Sequence, residues 1–178
     1  MSIFANARPF TLFEDPFILD FLGAMKNDYH LPCRSTISSS LLPQCYTLVK
    51  KQVDSRISGL KYLNLSADET TNIRNRRIMN LSVSTHERSY YILTEDMKDK
   101  QLTATNIASW IINQITAILG PDTSAWTKVN SFTSDTCNTM KAVWQIIQST
   151  AELEHIFCIG CDSHSLQLLM KDLLGLPR

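Results

Sequence analysis

The segment Leu65–Val83, LSADETTNIRNRRIMNLSV, contains an apolar stretch that ends at two adjacent carboxylates, Asp68 and Glu69. Three arginines follow, and apolar alternation resumes from Ile78. Alternation with a period of two is typical of half-buried strands, and a short polar link containing asparagine favours a tight connection between two of them. The segment therefore predicts antiparallel strands with an acidic pair near the end of the first.

The periodicity on both sides of this segment predicts an ordered series of elements. Three strands are predicted at 60–67, 77–85 and 89–94, followed by a helix in TATNIASWIINQITAILGP, a strand at 128–133, a helix carrying Met140 and Trp144, a strand in EHIFCIG and a helix at 165–174. A meander followed by alternating helices and strands indicates a mixed sheet, an α/β (α+β mixed) fold. We expect its fourth strand to return beside the first through a right-handed crossover.

Residues 1–58 are predicted to form a helical lead-in, and residues 59–178 the sheet-bearing core. One helix is expected over 9–29, with Pro16 in its first turn. A second helix is expected to begin at a cap formed by Ser35 or Thr36, to carry a candidate kink at Pro43 and to end at Gly59.

Composition narrows the class of protein. The 178 residues are 44% hydrophobic, and 17 basic and 17 acidic side chains give a formal net charge of zero, so there is no overall basic field. We expect an intracellular protein, because no apolar run reaches the roughly 20 residues of a membrane span and the start of the chain lacks a signal-peptide pattern. The five cysteines are an odd number, which favours reduced thiols over a disulfide framework.

Two carboxylates are expected to converge at one edge of the sheet. Asp68 closes the first predicted strand and Asp135 closes the fourth, and these two strands should be neighbours. Two carboxylates about 4 Å apart repel by about 4 kcal/mol at an effective dielectric of 20, so a cation between them or a proton on one of them is needed. Mg²⁺ is commonly held by one or two carboxylates together with phosphate oxygens and water.

Four stretches in order resemble hAT-type DNA transposases. PFTLFEDPFILDFLGAMKNDYHLPCRSTISSSLLPQCY is similar to the helical lead-in of that family, LSADETTNIRNRRIMNLSV to its first catalytic strand and FTSDTCNTMKAVW to its second catalytic segment. FCIGCDSHSLQLLMKDLL resembles the segment that carries its Cys-x-x-His signature. More narrowly, the chain resembles the domain of unknown function in the N-terminal half of many transposase-derived proteins.

The resemblance implies an RNase H-like core with a mixed five-stranded sheet and flanking helices, incomplete at the C-terminus. It implies that Asp68 and Asp135 are catalytic and bind Mg²⁺ or Mn²⁺, and that Cys161 and His164 lie near DNA. It further implies DNA strand transfer in the full-length ancestor, and a nuclear location. The family's third acid, a glutamate after a helical insertion, and its zinc-binding BED module have no counterpart in the sequence, so we expect no activity from the chain alone. Thr70 stands where the family usually has tryptophan.

Simpler interpretations remain for most of these residues. Asp68 is also suited to a turn, and Asp135 to the N-cap of the following helix. Arg74, Arg76 and Arg77 are expected either to contact DNA phosphates or to form a solvated turn. The spacing of His155, Cys158, Cys161 and His164 suggests zinc, but alternate residues of a strand point to opposite faces, which disfavours a shared site.

Two further functions stay open at the level of the sequence. One is a domesticated interaction module, a homodimer or a binder of another protein, without nuclease activity. The other is a fragment with no selected function.

Overall fold

The computed structural model describes residues 7–25, 30–98 and 101–175. The chain divides into two compact units, Met1–Ser55 and Arg56–Arg178. None of the helices in the described ranges is both long and apolar enough to cross a membrane.

The first unit is helical, but its leading segment is not the one continuous helix predicted. A 3₁₀ turn at Phe10–Glu14 precedes helix α1, Pro16–Met25. The side chain of Asp15 accepts a hydrogen bond of 2.9 Å from the backbone N–H of Phe17, and Pro16 occupies the first helical position as expected. The end predicted at Tyr29 lies outside the described residues.

The second helical segment begins earlier than the sequence predicts. A helical turn at Arg34–Thr36 passes into a π-helical stretch, Ile37–Leu41, and then into helix α2, Leu42–Ser58. Cys33 is the N-cap, so the predicted cap at Ser35 or Thr36 was wrong. The irregular stretch ends two residues before Pro43, which has no N–H to donate to the preceding turn.

The second unit contains the expected mixed sheet of five strands. These are β1 Leu63–Thr71, β2 Arg77–Ser84, β3 Ser89–Asp96, β4 Val129–Ser134 and β5 Phe157–Gly160. Their spatial order is β3-β2-β1-β4-β5, with β1, β2 and β3 antiparallel and with β4 parallel to β1 and to β5. The predicted order of elements and the return of the fourth strand beside the first are therefore confirmed.

Strand β1 begins at Leu63 rather than at residue 60, and it also ends later than predicted. It was predicted to end at Ala67, but its pairing with β2 continues to Thr71 opposite Arg77. Asp68 therefore lies inside the strand rather than closing it. The extension follows from the tight connection between β1 and β2, which lets polar residues pair even though they contribute no apolar pattern.

The core lies on one face of the sheet. Alternate residues of β1 and β2 are buried on that face, and two helices attach to it, α3 (Ala104–Leu119) and α4 (Asn138–Ser149). The Nε1 of Trp110 in α3 donates a hydrogen bond to Glu95 of β3. Buried residues of the sheet face include Leu63, Leu65, Ala67, Met79, Leu81, Val83 and Phe132.

Helix α3 matches its prediction closely. Thr103 caps its start by accepting a hydrogen bond from the N–H of Asn106, and Gly120 follows its end with a φ of 89°. That positive φ favours glycine. A 3₁₀ turn at Thr123–Lys128, which the sequence did not predict, leads into β4. Helix α5, Asp162–Leu174, follows β5.

Candidate functional site

Asp68 and Asp135 meet at one edge of the sheet. The parallel register between β1 and β4 pairs Asn64 with Ser131 and Ser66 with Thr133. Two residues further along each chain, the same register places Asp68 beside Asp135, directly after the end of β4. The alternation of a strand puts Asp68 on the face of Asn64 and Ser66, opposite the buried core.

The pKa of Asp68 reflects the proximity of Asp135. Partial burial raises the pKa of its carboxyl, the negative charge of Asp135 raises it further, and Glu69 adds to the effect. The imidazole of His164 lowers that pKa. Asp68 still has an exposed side chain by area, so solvent moderates these effects. The edge is therefore an anionic site that favours a cation or a proton.

Asp135 is held by the connection from β4 to α4. Its Oδ1 accepts a hydrogen bond of 3.1 Å from the N–H of Cys137, and its carbonyl oxygen accepts one of 3.0 Å from the Oγ of Ser134. Cys137, not Asp135, is the N-cap of α4, so the simpler role suggested for Asp135 was wrong. The half-buried carboxylate is thereby fixed in orientation by the backbone.

Two side chains behind Asp135 were not identified as site residues from the sequence. The Nε1 of Trp144 in α4 donates a hydrogen bond of 2.9 Å to the Oγ of Ser134, which is 1% exposed. The sequence indicated only that Trp144 lies on the helix that follows β4. No spacing rule signals this contact, because it joins a strand to a helix through tertiary packing.

Gly160 at the end of β5 also lies against this connection. A Cβ at this position would lie 2.7 Å from the Cγ2 of Thr136, the residue after Asp135. A glycine inside a predicted strand is the one sequence signal that could have identified this close approach.

The Cys161 and His164 pair reaches the same edge. Cys161 precedes α5, and its N–H donates a hydrogen bond of 2.7 Å to the carbonyl oxygen of Ser134. His164 lies in the first turn of α5, half-buried, close enough to influence Asp68. The structure thus brings His164 near Asp68, and the predicted contact of the Cys161 and His164 pair with DNA stays a prediction.

The three arginines lie around the connection from β1 to β2. The Nε of Arg77 contacts the Oε1 of Glu69 at 2.5 Å, and the Nη1 of Arg76 contacts the Oδ2 of Asp96 at 3.2 Å. Arg74 is exposed within the connection itself. Exposed ion pairs of this kind are weak, so they do not prevent contact with an anionic partner.

The donor set fits a hard divalent cation only in part. Asp68 and Asp135 supply carboxylate oxygens at one edge, as Mg²⁺ and Mn²⁺ prefer. Within residues 7–25, 30–98 and 101–175, no group of three or more His, Cys, Asp or Glu side chains is arranged to hold a metal ion. The remaining ligands would therefore come from water or from a bound phosphate.

A family model matches most of the chain. The model is described as Domain of unknown function (DUF659), and it covers residues 32–178, which include the whole sheet and every residue of the site. The chain belongs to the DUF659 family. Comparison of this DUF659 domain with curated proteins gives no significant match.

Proposed function

We propose that this DUF659 domain is the sheet-bearing part of a hAT-type DNA transposase core, in which Asp68 and Asp135 share a divalent cation beside a DNA phosphate. The observation that carries the proposal is the convergence of these carboxylates on two neighbouring parallel strands, with Asp68 inside β1 and Asp135 directly after β4, where Asp135 raises the pKa of Asp68. The DUF659 match and the transposase-like order of motifs support it.

The chain's own residues have distinct parts in this proposal. Asp68 and Asp135 hold the cation, and the hydrogen bonds to Ser134 and Cys137 keep Asp135 in the orientation that this requires. His164, when protonated, offers a positive charge and a donor to a phosphate at the same edge. Mg²⁺ or Mn²⁺, when bound, would stabilise negative charge that develops on the reacting phosphoryl group.

The two carboxylates provide fewer protein ligands than a complete three-acid site. The third acid implied by the resemblance is not grouped with them in the described ranges. We therefore infer that the domain alone binds a cation and DNA but does not cleave DNA. The same proposal includes a nuclear location, because the DNA on which such a transposase acts lies in the nucleus.

A titration of Mn²⁺, with a short DNA duplex present, tests the cation site. Replacing Asp68 or Asp135 with asparagine should lower the Mn²⁺ affinity by about tenfold or more. Loss of a residue that only hydrogen-bonds to a metal ligand already lowers metal affinity by about this factor. Glu87→Gln is the matched control, because Glu87 is an exposed carboxylate in the turn after β2, at the opposite end of the sheet. Equal affinities for all four proteins would exclude the proposed site.

DNA binding is measured separately, by fluorescence anisotropy at several salt concentrations. The affinity should fall with added salt, with a slope near −0.9 for each phosphate that the arginines neutralise. In a plasmid nicking assay with Mg²⁺ or Mn²⁺, the isolated chain should be inactive. Nicking that Asp68→Ala abolishes would contradict the inference that the domain is inactive alone.

A second candidate function has its own support in helix α5. Five large apolar side chains repeat at steps of three and four residues along this helix, and each is about half exposed or more: Leu166, Leu169, Met170, Leu173 and Leu174. Such a stripe packs well against a copy of itself, which favours a homodimeric interaction module. Light scattering of the wild-type chain and of Leu173→Glu tests it, and a monomer at all concentrations would exclude the homodimer.

A further inference from the structure

The connection between β1 and β2 extends beyond the two aspartates. The last pair of this hairpin joins Thr71 to Arg77, three residues beyond Asp68. At the rise of an antiparallel strand, three residues span about 10 Å. Strand β4 has already ended at Ser134, so the hairpin tip, residues 72–76, projects past the edge at which Asp135 lies.

The hairpin tip is held in one conformation by Asn72. The Oδ1 of Asn72 accepts hydrogen bonds from the backbone N–H groups of Arg74, at 2.9 Å, and Arg76, at 3.0 Å. Its own N–H donates to the carbonyl oxygen of Arg76, and its carbonyl oxygen accepts from the N–H of Asn75, both at 2.9 Å. Asn75 adopts a φ of 59°, a left-handed conformation that asparagine tolerates. The tip is therefore preorganised.

Ile73 is at the apex of this hairpin tip, and its side chain is fully exposed. A single exposed isoleucine is common on protein surfaces. Ile73 differs in three respects. Its turn is fixed, arginines occupy positions 74 and 76, and the hairpin tip projects past the edge at which Asp68 and Asp135 lie. A fixed apolar side chain beside basic groups is complementary to the stacked bases and phosphates of a nucleic acid.

We propose that Ile73 is a wedge that inserts between two base pairs of duplex DNA, while Arg74 and Arg76 contact the flanking phosphates. This inference rests on the proposed DNA function. Apolar side chains, isoleucine among them, that enter a base step unstack it and kink the duplex. A kink at Ile73, two residues beyond the pair that lies about 10 Å from Asp68, would bend the duplex toward the sheet edge and bring a nearby phosphate to it.

The preorganised turn favours this role because a rigid tip does not have to be ordered on binding. Arg76 also contacts Asp96 at 3.2 Å, an exposed ion pair that is weak enough to leave its guanidinium available to a phosphate. An apolar pocket on a protein partner is the other occupant that a lone isoleucine would fit. The arginines next to Ile73 favour the nucleic acid, because they match its charge.

The test uses the full chain and duplexes that carry 2-aminopurine at successive positions. Unstacking of that base raises its fluorescence, and anisotropy of the same samples reports affinity. Wild-type protein should raise the fluorescence at one step, and Ile73→Ser should abolish the rise. It should also weaken binding by about fivefold or more, since the contacts that the kinked duplex permits are lost with the wedge and outweigh the cost of unstacking. Ile73→Leu should restore both signals.

Two controls separate the wedge from general effects. Leu48→Ser replaces an aliphatic side chain that is 60% exposed on α2, and it should leave both signals unchanged. Arg74→Gln should reduce the salt dependence of binding, and Arg88→Gln, at the other end of the sheet, should not. Ile73→Ser should keep the melting temperature of the wild type, because an exposed side chain contributes little to stability.

The outcomes distinguish the wedge from the function on which it rests. Tight binding of DNA with no 2-aminopurine response, or with the same response in Ile73→Ser, overturns the wedge and leaves the DNA function intact. Absence of DNA binding by the wild-type chain overturns both. Loss of a protein partner in Ile73→Ser, with DNA binding and fluorescence unchanged, also overturns the wedge.

Discussion

The indole of Trp144 donates a hydrogen bond of 2.9 Å to the buried hydroxyl of Ser134, and that hydroxyl donates one of 3.0 Å to the carbonyl oxygen of Asp135. Helix α4 is thereby connected to the backbone of a candidate cation ligand. Buried polar groups that are fully hydrogen-bonded fix a local structure, and loss of one partner is costly to the other.

Ser134→Ala should destabilise the domain by about 1–3 kcal/mol, because it leaves the indole N–H of Trp144 without its acceptor. Urea unfolding followed by circular dichroism measures the change. The variant should also lower Mn²⁺ affinity, since Asp135 loses a support. The double variant Ser134→Ala, Trp144→Phe should lose less unfolding free energy than the sum of the losses in the two single variants. Strict additivity would show that the two side chains are not coupled.

Gly160→Ala should destabilise the domain by about 1–3 kcal/mol, because its new methyl group would lie 2.7 Å from the Cγ2 of Thr136. Thermal unfolding measures the change. In the Gly160→Ala variant, Thr136→Ser removes the Cγ2 methyl group of Thr136 and should restore most of the lost stability. Gly23→Ala is the control, since nothing lies within 4 Å of a Cβ at this position of helix α1. If Thr136→Ser does not restore stability, the destabilisation does not come from contact between the new methyl group and Thr136.

Asp68→Asn should raise the free energy of unfolding at pH 7 by less than about 1 kcal/mol, because the carboxyl is exposed and screened. Its pKa is raised in the folded chain by burial and by Asp135, so the ionised group destabilises the folded state at every pH above that pKa. The gain should disappear as the pH falls below the ordinary aspartate value of 3.8, where both states are protonated.

The opposite sign is expected at Asp122. A hydrogen bond with Ser124 lowers the pKa of its carboxyl, so the ionised group stabilises the folded state at neutral pH. Asp122→Asn should therefore lose stability at pH 7, and this loss should fade as the pH falls from the ordinary aspartate value of 3.8 to below the lowered pKa of the folded chain. Denaturant titrations between pH 3 and pH 8 compare the two variants. A gain for Asp68→Asn that is constant across this range would contradict the electrostatic explanation.

Cys33 should react with iodoacetamide faster than Cys158 at pH 8. A hydrogen bond with Thr36 lowers the pKa of the exposed Cys33 thiol, whereas burial raises the pKa of Cys158 to about 11. The thiolate is the nucleophile, so the ordering follows the pKa and the accessibility. Mass spectrometry of time points measures both rates.

Two comparisons check the cause of this ordering. Thr36→Val removes the hydroxyl and should slow Cys33. In urea the two rates should become similar. Equal rates in the folded chain would show that the surroundings of these thiols do not control their reactivity.

The sequence by itself determined the types and order of the strands and main helices of the second unit, and it predicted that Asp68 and Asp135 would be neighbours. The apolar spacing of Ile107, Ile111 and Ile115 predicts helix α3 because a helix brings such positions to one face. Alternation around Leu81 and Val83 predicts a strand for the same kind of reason. The crossover rule then placed β4 beside β1, and so placed Asp68 near Asp135, from chain order alone.

Only the tertiary structure decided the details of the site. It extended β1 to Thr71, made Cys137 the cap of α4, joined Trp144 to Ser134 and set Gly160 against Thr136. Periodicity is a local property, and a few neighbouring residues are enough to express it. Strand ends, register and the contacts between a helix and a strand depend on how distant segments fit together in the core, so no short stretch of the sequence contains them.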